Sequence, residues 1–132
     1  MCGIFASTML RLAHNGVDPN VVNDQFGRPS HAAVVASALK EVAEALSEGA
    51  SLPQILHATG GGEPAHWCEF AREIFRSAGY DPERVSPIPT SEYPTAARRP
   101  ANSVLSLREW EHCGLSALPA WRETLAEKAA VW

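Results

Sequence analysis

Apolar residues recur along this chain at spacings that alternate between helical and extended. In Met1–Leu12, Ile4, Phe5, Met9 and Leu12 fall close to helical spacing, and Asn15-Gly16 supplies a C-cap signal. Asp18-Pro19-Asn20 reads as a turn and Val21-Val22 as a short strand. The polar run 23–30 holds Gly27 and Pro29 and reads as a loop, with Ser30 placed to cap the next helix. His31–Glu48 carries Val35, Leu39, Val42 and Leu46 at three- and four-residue steps, which makes them its apolar face. Lys40, Glu41, Glu44 and Glu48 lie elsewhere on its surface, and Gly49 stops it.

Gln54–Ala58 is a short apolar run that reads as a buried strand, ending at the turn Gly60-Gly61-Gly62. His66–Ala78 is a second amphipathic helix, with Trp67, Phe70, Ile74 and Phe75 on its apolar face and Gly79 as its C-cap. Val85–Pro89 reads as an edge strand, because Pro87 and Pro89 forbid a central one. Ser103–Leu105 is another short strand. Ser106–His112 and Pro119–Val131 are the last helices, the latter with Pro119 in its first turn. This order predicts an α/β chain, an α+β-like small lobe in which about four to five helices pack around short strands. No internal repeat or linker divides it, so residues 1–132 form one domain.

Composition narrows the function classes. Of 132 residues, 45% are hydrophobic and 20% charged, the balance of a globular chain. The net charge is -4 and the arginines form no basic face, which argues against a nucleic-acid partner. No apolar run reaches membrane-spanning length and no signal peptide opens the chain, so the expected compartment is the cytoplasm. Three widely spaced cysteines fit a reducing environment, and the five histidines show no metal-binding spacing.

The candidate chemistry gathers in Val85–Leu105, which holds four of the ten prolines. Arg98 and Arg99, followed by Asn102 and Ser103, sit on this stiffened backbone. Two guanidiniums and an amide suit a planar, hydrogen-bonding or phosphate-bearing ligand, although a solvated surface loop would have the same residues. The triple glycine invites a phosphate-cradle reading. No Lys-Ser/Thr follows it, and Glu63 would oppose an anion.

Three blocks carry a resemblance. VVNDQFGRPSHA (21–32), ILHATGGGEPAHWCEFAREIF (55–75) and VSPIPTSEYPTAARRPANSVLS (85–106) resemble the C-terminal part of dTDP-4-dehydrorhamnose reductases, members of the extended short-chain dehydrogenase/reductases. The family patterns V-x-D-Q-x-G-x-P-T, H-x-x-G and R-R-P-x-N-S-x-L occur in order, and TMLRLA (8–13) resembles the helix before the first block. The resemblance covers nearly the whole chain. It implies a substrate-binding lobe that closes over a dTDP-linked nucleotide sugar in dTDP-L-rhamnose synthesis. NADPH or NADH would be held by a separate Rossmann half with a Gly-rich loop and a Tyr-x-x-x-Lys pair.

This sequence has neither of those features. Tyr80 and Tyr93 are followed four residues on by Arg84 and Ala97. The chain is therefore expected to bind no cofactor alone, and to transfer no hydride alone. Ser30 and Val34 stand where the family usually has Thr and an acidic residue, which leaves the sugar open. By the resemblance, Arg99 and Asn102 lie towards the nucleotide sugar, with Arg99 on the diphosphate, and Gln25 and Phe26 sit on a loop facing the cleft. Asp24 is expected to cap a turn. The strand expected at Gln54–Ala58 would join the Rossmann sheet. Without that cover, a homodimer or a Rossmann-bearing partner chain is expected.

Two other readings stay open. The lobe could be a structural or interaction module without a ligand. Met1-Cys2-Gly3-Ile4-Phe5 resembles the start of class II glutamine amidotransferases, in which an N-terminal cysteine is the nucleophile, but that family's glutamine-binding motifs are missing.

Overall fold

A computed structural model describes residues 3–129, with side chains from Phe5 onward. Five helices, α1 Gly3–His14, α2 Ala32–Ser47, α3 Trp67–Ser77, α4 Arg108–His112 and α5 Trp121–Ala129, surround four short strands. These are β1 Asn20–Val22, β2 Phe26–Gly27, β3 Ala65–His66 and β4 Ser86–Ile88. The predicted class, helices packed around short strands, is the one observed. The N-terminal Cys2 lies outside the described residues, and Gly3–Phe5 are helical.

The core is organised on α3. Cys68, Phe70, Ala71, Ile74 and Phe75 repeat at helical spacing and are buried, Ile74 and Phe75 to 0% exposure. Against them pack Ala6, Met9 and Ala13 of α1, Val21 of β1, Val85, and Trp121 and Leu125 of α5. Trp67, expected on the buried face, instead lies at its edge, its ring 4.8 Å from that of Phe5. His66 caps α3 by accepting from the Glu69 amide at Nδ1, and Gly79 at φ +80° follows its end as the sequence indicates. On the polar face of α3, Glu69 and Glu73 both take the Arg122 guanidinium of α5.

β1 and β4 pair in parallel, with Val21 opposite Pro87. Ser86 N donates to Pro19 O, and Asn23 N donates to Ile88 O. The N–H that Pro87 lacks would therefore face the open edge, so proline is tolerated there. Arg84, just before β4, joins this sheet to α1. Its Nε donates to Asp18 at 2.7 Å, and its Nη1 and Nη2 donate to the Ala13 and Val17 carbonyls. The same guanidinium lies 5.4 Å from the centre of the Phe75 ring.

Four local expectations are corrected. Gln54–Ala58 forms no strand: residues 51–59 make no backbone hydrogen bond among the described residues, and Ile55 is 72% exposed. Ser103–Leu105 is no strand either: Ser103 N reaches the Phe26 carbonyl, but side chains take the backbone groups after it. Asn102 Oδ1 accepts from Val104 N and Arg28 Nη1 donates to Leu105 O. α2 begins at Ala32 with His31 as its cap, while Ser30 Oγ accepts from the distant Gly60 N. Pro119 precedes α5 rather than opening it, its carbonyl being used by Gly61 N.

Arg84→Met should lower stability by about 1–3 kcal/mol in urea unfolding, since it orphans the partly buried Ala13 carbonyl. Arg108 is 74% exposed and 3.9 Å from Glu109, so Arg108→Met should change stability by less than about 0.5 kcal/mol.

Candidate functional site

The stretch Asp24–Ser30 is fastened on both sides. On one side β2 pairs antiparallel with β3, Phe26 opposite His66 and Gly27 opposite Ala65. On the other, Phe26 forms a parallel bridge to Asn102: Phe26 N donates to Ala101 O, and Ser103 N donates to Phe26 O, both at 2.8 Å. A Cβ on Gly27 would sit 3.0 Å from Ser103 Oγ, so this crossing favours glycine. Two-residue strands of this kind carry no sequence period, which is why neither β2 nor β3 was predicted.

Asp24 and Gln25 hold a second connection, to the 3₁₀ turn Thr90–Glu92. Both Asp24 carboxylate oxygens accept from Thr90 N, at 3.0 and 2.9 Å, and Oδ1 also accepts from Thr90 Oγ1 at 2.6 Å. That fixes the hydroxyl rotor, so its lone pair accepts from Gln25 Nε2 at 3.0 Å. Asp24 does cap a turn, as expected, but one 66 residues away. The Thr90 hydroxyl, then the Thr90 amide, hold its carboxyl below the usual carboxylate range.

The structure thus brings Gln25, Phe26 and Asn102 together. Phe26 is 43% exposed, and its ring meets that of His66 edge-on at 5.6 Å. Asn102 is exposed, with its Oδ1 turned to its own loop. Arg99 stands three residues before it in the exposed 94–100 stretch, and no described hydrogen bond or ion pair engages its guanidinium. Sequence reasoning passed over Thr90 and Arg28. Arg28 Nε donates to Gly62 O while its Nη1 reaches Leu105 O, so one side chain joins all three sequence blocks.

The glycine run is a packing device. Gly60 N is taken by Ser30 Oγ, and Gly61 N by Pro119 O. A Cβ on Gly60 would fall 2.1 Å from Pro29 O, and one on Gly61 2.1 Å from Leu118 O. With those amides committed, the run offers no pyrophosphate cradle, and the residues present do not fit a nicotinamide dinucleotide. Among the described residues no three His, Cys, Asp or Glu side chains gather as a metal site. No helix is long and apolar enough to cross a membrane, among the described residues. An apolar cavity of about 370 Å³ lies between α1 and α2 above Phe70, Trp121 and Leu125, away from Gln25, Phe26, Arg99 and Asn102.

Gly61→Ala should cost about 1–3 kcal/mol in chemical denaturation, because its new methyl meets backbone rather than a movable side chain. The Asp24 carboxyl is lowered in the folded state. Its contribution is therefore complete above the ordinary carboxylate value and is lost as pH falls through the folded one. The urea midpoint should consequently drop more on acidification for the parent chain than for Asp24→Asn; equal drops would show that the carboxylate adds nothing.

Comparison with known proteins accords with this arrangement. The RmlD substrate binding domain family model matches residues 3–131. The dTDP-4-dehydrorhamnose reductase of Mycobacterium tuberculosis H37Rv is 39% identical over 128 residues, covering 96% of this chain and 40% of the relative. The Burkholderia thailandensis reductase is 40% identical over 129 residues, covering 89% and 43%. Among solved structures, the Bacillus anthracis dTDP-4-dehydrorhamnose reductase in complex with NADP superposes with a TM-score of 0.82 at 30% identity, covering 96% of this chain and 42% of that one. The Clostridium acetobutylicum orthologue gives 0.80 at 33% identity, covering 96% and 43%. This chain thus spans less than half the length of the relatives it matches, and the part it spans is their substrate-binding lobe: it belongs to the RmlD substrate binding domain family.

Proposed function

We propose that this chain is the nucleotide-sugar-binding portion of a dTDP-4-dehydrorhamnose reductase, working with a dinucleotide-binding half that supplies NADPH or NADH. The observation that carries this reading is the fastening of 24–30 to both 90 and 101–103, which sets Gln25, Phe26 and Asn102 on adjoining loops. Held this way, the loops lose little conformational entropy when a ligand arrives. Gln25 and Phe26 present an amide and an aromatic edge to the sugar nucleotide. Asn102 shapes the turn beside them. Arg99, unengaged within the fold, supplies a planar fork for a diphosphate.

Hydride transfer requires groups this chain lacks, so the lobe binds and orients while the other half reduces. Asn102's local cap favours a second reading, an interaction module without a ligand.

Calorimetric titration with dTDP-L-rhamnose separates the two. Binding should weaken at least about tenfold in Arg99→Ala, the loss of one charge-assisted contact. No binding at all would favour the module, whereas an affinity that Arg99→Ala leaves unchanged would remove Arg99 from the site. The isolated chain should show no NADPH oxidation with dTDP-4-dehydrorhamnose, followed by absorbance.

A further inference from the structure

A glutamine amide has two ends of similar shape and opposite chemistry: Nε2 only donates and Oε1 only accepts. Which end faces outward decides what Gln25 can recognise. The hydrogen bonds around Thr90 fix that choice. The Asp24 carboxylate can only accept, and Thr90 Oγ1 lies 2.6 Å from its Oδ1, so the one hydroxyl proton of Thr90 is committed to Asp24. The Thr90 hydroxyl and amide also keep that carboxyl below the usual carboxylate range, so it is ionised at neutral pH. With its proton spent, Thr90 Oγ1 has only lone pairs for its other neighbour. The Gln25 atom 3.0 Å away is therefore Nε2, the donor. Oε1 is the end turned from Thr90, and among the described residues no hydrogen bond engages it.

We infer that Thr90 is a positioning residue: by holding Nε2 it presents Gln25 Oε1 to the ligand as a fixed acceptor, so the ligand group met there is a hydrogen-bond donor. This rests on the function proposed above and deepens it. A dTDP-linked sugar offers two kinds of donor, the hydroxyls of the sugar ring and the N3–H of the base. Diphosphate oxygens and a keto oxygen are acceptors, and Oε1 repels both. Without the Thr90 hydroxyl, either end of the amide can turn outward, and part of the binding energy goes into ordering it. The fastening of the loops does not depend on that hydroxyl. Thr90 N donates to both Asp24 oxygens, at 3.0 and 2.9 Å, and the Phe26 and Ser103 amides keep their own acceptors. Positioning and structural roles are thereby separable.

Thr90→Val keeps the side-chain shape and the backbone amide but removes the hydroxyl, and Thr90→Ser keeps the hydroxyl. Each variant of the isolated chain is titrated by calorimetry with dTDP-L-rhamnose and with dTDP, and its amide exchange is followed by NMR. Thr90→Val should weaken dTDP-L-rhamnose binding about tenfold, the scale of one hydrogen bond, and Thr90→Ser should stay within about threefold of the parent. In both variants the Phe26 and Ser103 amides should exchange as in the parent. A loss for dTDP-L-rhamnose alone assigns the donor to the sugar, and an equal loss for dTDP assigns it to the nucleoside. Parent-like affinity in Thr90→Val, or a loss that Thr90→Ser fails to restore, would overturn the inference and leave the proposed function intact. Faster exchange at Phe26 and Ser103 in Thr90→Val would show that the hydroxyl holds the loops together, and would overturn it too. A parent chain that binds neither ligand would end the inference together with the proposed function. If Thr90→Val does not fold, the parent alone decides. The Gln25 side-chain amide should exchange more slowly than that of the exposed Gln54, and equal rates would overturn the inference.

Discussion

The candidate site depends on seven residues, Asp24–Ser30, being held from both sides. The segment is too short to fold by itself, and Phe26 and Gly27 have only two ladder positions on β3. It is fixed because its polar groups are spent on distant parts of the chain. Asp24 and Gln25 take Thr90, Phe26 takes Ala101 and Ser103, Arg28 takes Gly62 and Leu105, and Ser30 takes Gly60. Each bond adds only about 1 kcal/mol net, but leaving any buried group unpaired would cost more, so the set is cooperative.

The core built on α3 makes this possible. Phe70, Ile74 and Phe75 bury the helix against α1 and α5, and Arg84 and Arg72 tie β4 to that body. The loops carrying the candidate ligand groups therefore hang from a rigid scaffold, and among the described residues the exposed Arg98 and Arg99 make no hydrogen bond or ion pair within the fold. Fixed loops beside two uncommitted guanidiniums suit recognition of a phosphate-bearing ligand.

Much of this was legible in the sequence, and the failures have physical causes. α3 was readable because Phe70, Ile74 and Phe75 are large and its opposite face is charged. The parallel pairing of β1 and β4 agrees with an apolar pair and a proline-marked edge. The three motifs proved to be one another's contacts, so the resemblance they carried was structural. α2 misled because it has apolar residues on two faces. Periodicity favours the larger ones, Leu39 and Leu46, whereas the fold buries the small Ala38. Gln54–Ala58 has strand-like residues but no neighbouring backbone to pair with, a non-local fact. Trp110, buried with its Nε1 donating to Ser116 O, sits in a five-residue helix too short to show a period.

Native-state amide exchange followed by NMR tests the fastening most directly. The Phe26, Ser103 and Thr90 amides donate to Ala101, Phe26 and Asp24, respectively. If the two loops are held as one unit, these amides exchange slowly, at a common free energy close to that of global unfolding, while residues 51–56 exchange freely. Fast or mutually independent exchange at the three would contradict the account, because Gln25, Phe26 and Asn102 would then share no fixed site.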